Sequence, residues 1–232
     1  MTKVKKDLWE FAVEHFSNFR MASYLASSLQ EKAVAVEIYR WNTEVASAYW
    51  EAIAYLEVSL RNLLDKKMTQ RHQLLGRSGH WIFDNYHELG RARIATETHG
   101  QPFREIAEAM NRVRKNGKPM KPAQIISELS FGFWHQLVSK RQLFLWPELA
   151  SGFINAPSRD QNYISNLTFE VRELRNRIGH HHRLNQYSIR NGWQFIVKLA
   201  GAIDENLVDW ITMNSRMQAL MQNHPMKSHL LP

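Results

Sequence analysis

The feature that most restricts the fold is a stretch, residues 32–67, that contains neither glycine nor proline. Apolar side chains recur along it at intervals of three and four residues, the spacing that places them on one face of an α-helix. This face comprises Val36, Tyr39, Val45, Tyr49, Trp50, Ile53, Leu56, Leu60, Leu63 and Leu64. The stretch therefore predicts one long helix.

The rest of the chain has the same periodicity, interrupted by short segments that contain glycine or proline. Further helices are predicted at residues 5–30, 86–98, 103–115, 123–139, 159–181 and 186–222. Ser158 is the predicted N-cap of helix 159–181, with Asp160 in its first turn. Because no segment alternates as a β-strand would, the predicted fold class is all-α, a helical bundle of long antiparallel helices and short connecting helices.

Length and composition narrow the classes of protein further. A chain of 232 residues with 44% hydrophobic residues can bury one substantial core, so we expect a single domain over residues 1–232 with its core at about 5–215. The absence of cysteine excludes disulfide scaffolds, cysteine-ligated zinc, iron–sulfur clusters and thiol nucleophiles. No apolar run has the length of a membrane span and the first residues lack a secretory apolar segment, so we expect a cytoplasmic protein without membrane contact.

The charge is basic and unevenly distributed. Lys and Arg number 30 against 22 Asp and Glu, a net charge of +8. The excess is concentrated in residues 91–121 and 171–190, and it favours a polyanionic partner such as RNA. For the first of these segments, a solvated helix face is an equally good explanation.

The densest polar segment, residues 172–183, lies at the end of the predicted helix 159–181. At about 100° per residue, one narrow and presumed buried stripe of that helix holds Ile164, Leu167, Val171, Leu174 and Ile178. An arc of roughly 140° outside the stripe holds Arg175, Gly179, Arg172, Asn176 and His180. The helix thus presents a cation, an amide and an imidazole to a partner.

These three groups suit RNA cleavage by the ribose 2′-hydroxyl. An imidazole that titrates near neutral pH transfers protons, and a guanidinium stabilises phosphoryl charge. Arg175 and His180 point about 140° apart on one regular helix, so their side chains need not meet, and we expect a two-fold homodimer that brings both sets into one composite cleft. His181 points nearer the buried stripe and is expected to support the site by packing or hydrogen bonding.

Two other groups of polar residues permit more than one interpretation. Three adjacent histidines, residues 180–182, are compatible with a transition metal, but their side chains diverge by about 100° per residue and no carboxylate has a useful spacing. We therefore predict neither a metal site nor a cofactor. Glu57 and Arg61 have the spacing of a helix-stabilising ion pair, or they form with Asn62 a second polar layer behind Arg175 or His180.

Residues 175–180 read R-N-x-x-x-H, which resembles the active-site motif of HEPN ribonucleases, particularly the Abi-like (abortive infection) family. The resemblance extends from about residue 20 to 185. It is carried by Tyr39-Arg40-Trp41-Asn42, Trp50-Glu51, Leu56-Glu57-Val58-Ser59-Leu60-Arg61-Asn62, Glu128-Leu129-Ser130-Phe131-Gly132-Phe133-Trp134 and Leu145-Trp146. Two departures are Gly179, where the family usually has Ala, and His182, where Glu is common.

The resemblance implies an all-helical HEPN domain that acts as a metal-independent endoribonuclease, usually dimeric, in phage defence or toxin–antitoxin systems. Arg175 and His180 would be its essential catalytic pair and Asn176 would support them. Arg172 is a further supporting candidate. The alternative is a catalytically inactive RNA-binding or scaffold protein of the same fold in a defence or RNA-guided complex.

The expected partner is RNA, whether tRNA, mRNA or a noncoding RNA, together with a second copy of the chain and an antitoxin protein or RNA. The two basic segments supply the candidate RNA-binding residues. These are Arg177, Arg183, Arg112, Arg114 and Lys115.

Overall fold

A computed structural model describes residues 7–226, without the side chains of Gln186 and Tyr187. The α-helices are α1 (Leu8–Phe16), α2 (Asn18–Ser27), α3 (Lys32–Leu74), α4 (Phe103–Lys115), α5 (Pro122–Ser127), α6 (Phe131–Leu137), α7 (Trp146–Leu149), α8 (Gln161–Gly179), α9 (Gln186–Ile203), α10 (Glu205–Met213) and α11 (Met217–Gln222). Short 3₁₀ helices lie at Trp81–Phe83, Lys140–Leu145 and Ala150–Gly152. The described residues contain no β-strand, which confirms the all-α class.

The long helix α3 is the axis of the bundle. Its 43 residues correspond to a length of about 65 Å, and it continues to Leu74 rather than ending at residue 67. Helices α6, α8, α9 and α10 all pack against it. The fully buried side chains of Tyr49, Leu56 and Leu60 on α3 join Phe133 and Trp134 of α6 in the main core.

The N-terminal segment does not form the single predicted helix. Ser17 has a left-handed φ of 73° and separates α1 from α2, and its hydroxyl accepts a hydrogen bond from the Arg20 amide at 3.3 Å. Apolar side chains of this segment are also largely exposed, among them Leu8 at 67% and Phe19 at 94%. A small second core forms instead where Tyr24 of α2 packs against the first turns of α3.

The predicted helix over residues 86–98 is wrong. The buried carboxylate of Asp84 accepts hydrogen bonds from the backbone amides of Glu88 at 2.7 Å, Leu89 at 2.9 Å and Arg91 at 3.0 Å. These amides are then unavailable to a helical ladder. The chain forms turns here before α4 begins at the predicted residue 103.

Three further predicted boundaries differ from the structure. Residues 123–139 form two helices, α5 and α6, and residues 186–222 form α9, α10 and α11. Between α9 and α10, the Asp204 carboxylate accepts from the Asn206 amide at 2.9 Å and starts a new helix. Helix α8 is capped by Asp160 rather than Ser158, because the Asp160 carboxylate accepts from the Asn162 amide at 3.0 Å.

Candidate functional site

Helix α8 positions the motif through its apolar stripe. The five predicted stripe residues, from Ile164 to Ile178, are all buried, with exposed fractions of at most 6%. Gly192 of α9 brings the two helices close together, since an added Cβ there would lie 2.9 Å from Leu174 Cδ2 and 3.0 Å from Tyr49 Oη. The buried stripe and the close packing on α9 together determine which side of α8 faces away from the core.

Arg175 extends from α8 across to α3. Its guanidinium carbon lies 5.3 Å from the centre of the Trp50 ring, a cation–π distance. The Nε atom is buried and has no hydrogen-bond partner, and no ion pair involves Arg175 among the described residues. The cation is therefore half-buried, oriented and not neutralised by direct contact with a carboxylate.

Glu57 is the acidic group that acts electrostatically on this cation. Burial raises the pKa of Glu57, while the positive charges of Arg175 and Arg61 act in the opposite direction. Arg61 itself donates to the Asn62 side-chain oxygen at 3.5 Å. Since both arginines act on Glu57, the ion pair with Arg61 and the polar layer behind Arg175 both stay predictions.

Asn176 and His180 lie on the last turn of α8. The His180 amide donates to the Asn176 carbonyl oxygen at 2.9 Å and closes the helix, and the His180 imidazole is exposed, with its ring centre 5.8 Å from that of His182. Within residues 7–226 the side chains of Asn176 and His180 form no hydrogen bond, and none joins His180 to Arg175. The side chains of Arg175, Asn176 and His180 are thus not connected to one another by hydrogen bonds within the described part of one chain.

The segment that follows His180 is held by α2 and α3. Arg20 donates to the His181 carbonyl oxygen at 2.7 Å, and Arg183 donates to the Ser23 carbonyl oxygen at 2.6 Å and to the Ser27 hydroxyl. The Asn42 amide donates to the Leu184 carbonyl oxygen at 2.7 Å, and its oxygen accepts from the Leu184 amide at 3.3 Å. These contacts fix the backbone on the C-terminal side of His180.

The expected orientation of His181 is wrong. Because α8 ends at Gly179 and His181 has a left-handed φ of 53°, the helical projection does not extend to it, and its side chain is exposed. Its backbone carbonyl is the acceptor of the Arg20 hydrogen bond.

Arg172 faces α6 rather than the Trp50 side. Its Nη1 atom lies 3.2 Å from His135 Nδ1, and its Nη2 atom donates to the Glu173 carboxylate at 2.9 Å. Burial, together with the Arg172 charge, lowers the pKa of His135 to about 4. A neutral His135 is thus the partner of the Arg172 cation.

The predicted RNA-binding residues differ in exposure and in the number of hydrogen bonds and ion pairs that their side chains form. Lys115 is exposed, and Arg177 is exposed although it donates to the Arg183 carbonyl oxygen at 3.0 Å. Arg114 donates to Asn111, and Arg112 is paired with Glu128 at 3.4 Å. Arg183 is the most engaged, since its guanidinium bonds to α2 and lies 4.9 Å from the Tyr24 ring centre.

Three residues in contact with these segments, Arg20, Asn42 and Trp50, were not among the predicted site residues. Asn42 and Trp50 belong to the segments that carry the family resemblance, and that was the available signal. Arg20 bonds to a carbonyl group 161 residues away, and no periodic pattern indicates such a contact.

Comparison with known families decides the classification. Residues 12–186, more than half of the chain, match the family described as Abi-like protein. The chain belongs to the Abi-like family. No curated protein and no solved structure matches this Abi-like chain.

Two properties concern the described part of this Abi-like chain alone. Within residues 7–226, no helix combines the length and apolar character needed to cross a membrane. The same residues contain no group of three or more His, Asp or Glu side chains arranged to hold a metal ion.

Proposed function

We propose that this Abi-like chain is an endoribonuclease with a HEPN-type site, acting as a toxin or abortive-infection effector. Family membership supports the abortive-infection function. The observation that carries the enzymatic proposal is the last turn and a half of α8, where a half-buried cation without an ion pair, Arg175, precedes Asn176 and the exposed imidazole of His180.

The proposed reaction is a transesterification within the RNA strand. The ribose 2′-hydroxyl attacks the adjacent phosphorus, and the bond to the 5′-oxygen of the next nucleotide breaks, which leaves a 2′,3′-cyclic phosphate and a 5′-hydroxyl. His180 transfers the proton, either from the 2′-hydroxyl or to the departing oxygen. Arg175 stabilises the negative charge that develops on the phosphoryl group, and Asn176 orients the substrate. No step is assigned to a metal ion.

A second copy of the chain completes the proposed site. No hydrogen bond joins Arg175 to His180 within the described residues of one chain, and a two-fold pairing of α8 with its copy would place Arg175 of one protomer opposite His180 of the other. An exposed apolar side chain in contact with Arg175 supports this pairing. It is that of Trp50 on α3, which is 46% exposed.

The test is incubation of the purified chain with end-labelled tRNA and mRNA in EDTA, beside Arg175→Ala and His180→Ala. Wild type is expected to cleave, and each variant to lose at least about a hundredfold in rate, as expected for removal of a proton-transfer or charge-stabilising group. His182→Ala is the matched control, since it removes the neighbouring exposed imidazole and should leave cleavage unchanged. Salt-sensitive RNA binding without cleavage would replace the enzyme with the RNA-binding alternative.

Mixing the two inactive variants tests the composite site. If Arg175 and His180 act across the dimer, each mixed dimer of Arg175→Ala and His180→Ala retains one intact site. Random exchange of protomers should then restore about a quarter of wild-type activity, because half of the dimers are mixed and half of their sites are intact. Failure of the mixture to recover, with exchange verified, would place both residues of each site in one protomer.

A further inference from the structure

A basic cleft opens beside α8 on the side of Arg172. It has a volume of about 900 Å³, and its lining includes Arg104, His135, Lys140, Arg141, Gln142 and Arg172. These residues come from α4, α6, α8 and the 3₁₀ helix Lys140–Leu145. Only Arg172 belongs to the polar segment that resembles the family motif.

The charge of the basic cleft points to an anionic ligand. Four of its lining residues are cations, and none of the lining residues is a carboxylate. Lys140, Arg141 and Arg104 are exposed, so their charges are available to a ligand. Two carboxylates bond to the lining without being part of it: Glu173 accepts from Arg172 at 2.9 Å, and Glu105 accepts from the Gln136 side-chain amide. Several guanidinium and ammonium groups around one open cleft suit phosphate oxygens.

An unpaired acceptor indicates that the ligand is more than a phosphate. The Gln142 side-chain oxygen is buried and lacks a hydrogen-bond partner. A buried acceptor without a donor is costly, so a ligand that supplies a hydroxyl or amino hydrogen would be favoured there. Ribose hydroxyls and the amino groups of bases are such donors, whereas a fully ionised phosphate has none.

The position of the basic cleft relates it to the candidate site. On α8, Arg172 precedes Arg175, the proposed charge-stabilising residue, by three residues, about 4.5 Å along the helix axis. A strand whose phosphates lie in the basic cleft can therefore continue to Arg175. The geometry points to the basic cleft as the binding site for the phosphates of single-stranded RNA on one side of the bond that is cleaved; this inference rests on the proposed function.

The experiment measures RNA affinity in the His180→Ala background, where binding is separated from cleavage. The probe is a labelled single-stranded RNA, titrated at several salt concentrations. Lys140→Glu combined with Arg141→Glu should weaken binding at least about tenfold and reduce the salt slope by about 1.4, since each phosphate contact of a single strand contributes about 0.7. Both residues are exposed, so the fold is preserved.

The matched control is Lys32→Glu combined with Lys66→Glu, which changes the net charge equally at two exposed positions of α3 that do not line the basic cleft. An equal loss of affinity in both double variants would show that only overall charge matters, and it would overturn the inference. Gln142→Met should weaken binding about fivefold, the equivalent of one hydrogen bond, with an unchanged salt slope. Unchanged affinity would overturn the assigned Gln142 contact.

RNA cleavage, measured with His180 intact, distinguishes a failure of this inference from a failure of the proposed function. If wild type cleaves RNA and the Lys140→Glu, Arg141→Glu variant cleaves equally well at subsaturating RNA, the basic cleft is not the binding site and the enzyme proposal stands. If RNA binds through the basic cleft and wild type does not cleave it, the cleft is supported and the endoribonuclease proposal is overturned.

Discussion

The guanidinium of Arg175 lies over the ring of Trp50, 5.3 Å from its centre, and this contact joins α8 to α3 at the candidate site. Such cation–π contacts contribute about 0.5–1 kcal/mol at partly exposed positions. Because Arg175 Nε has no hydrogen-bond partner in the described part of the chain, the Trp50 ring is the contact there that orients the guanidinium.

Trp50→Ala should therefore impair activity. We expect cleavage to fall about 10- to 100-fold through misplacement of the Arg175 guanidinium, together with a loss of about 1–3 kcal/mol in the free energy of unfolding, because the half-buried ring also loses its apolar contacts. Trp50→Phe, which keeps an aromatic face, should retain most of the activity. Cleavage rates and denaturant unfolding measure the two effects, and equal rates for Trp50→Ala and wild type would contradict the assigned role.

Asn42→Ala should release the segment after His180. The variant leaves the Leu184 amide and carbonyl and the Tyr24 hydroxyl without their buried partner, at a cost of about 3 kcal/mol in the free energy of unfolding. The control is Thr43→Ala, an exposed neighbour on α3, for which we expect a change within ~0.5 kcal/mol. Similar denaturation midpoints for both variants would show that Asn42 does not anchor this segment.

Two glycines near the motif should respond to alanine in opposite directions. An added Cβ at Gly179 meets no atom within 4 Å, so Gly179→Ala should stabilise the end of α8 by about 0.5 kcal/mol. At Gly192 the Cβ would press on Leu174 and the rigid Tyr49 ring, and Gly192→Ala should destabilise the protein by about 1–3 kcal/mol. Thermal unfolding of both variants tests this contrast, and a stabilised Gly192→Ala would show that α9 can move away from α8.

His135 should make stability depend on pH. Its pKa is lowered from 6.5 to about 4 in the folded protein by burial and by Arg172, so the unfolded chain binds a proton at pH values where the folded chain does not. The contribution of His135 is thus fully present above the unfolded pKa and is lost as the pH falls towards the folded one.

His135→Gln removes this titration and keeps a polar side chain. The melting temperature of the variant relative to wild type should rise as the pH is lowered from about 7 to about 4. Parallel curves over that range would show that His135 is not held neutral by its surroundings.

The spacing of apolar residues correctly predicted those helices that are held in place by one buried apolar face. The stripe of α8 and the unbroken course of α3 over residues 32–67 are of this kind, since spacings of three and four residues follow from helix geometry. The prediction over residues 86–98 was wrong because a single carboxylate, that of Asp84, takes three backbone amides that a helix would have used. Because a side chain that competes for backbone amides does not alter the spacing of apolar residues, this spacing could not reveal it.

The candidate site could be predicted only in part from the sequence. Arg175, Asn176 and His180 were singled out because they lie close together on one helix and match a motif. Arg20 and Asn42 were not, because their bonds to residues 181 and 184 join parts of the chain more than 140 residues apart. His181 was placed incorrectly because a left-handed residue ends the regular geometry on which the projection depends.

The most direct measurement uses an RNA with a single cleavage position, identical to a second RNA except for one 2′-deoxy sugar on the 5′ side of that bond. Both are incubated with wild-type protein in EDTA, and the 3′ ends of the products are identified. The account predicts cleavage of the all-ribose strand to a 2′,3′-cyclic phosphate and an intact bond in the deoxy-substituted strand. Cleavage of both strands at that bond, or products ending in a 3′-hydroxyl, would contradict 2′-hydroxyl attack.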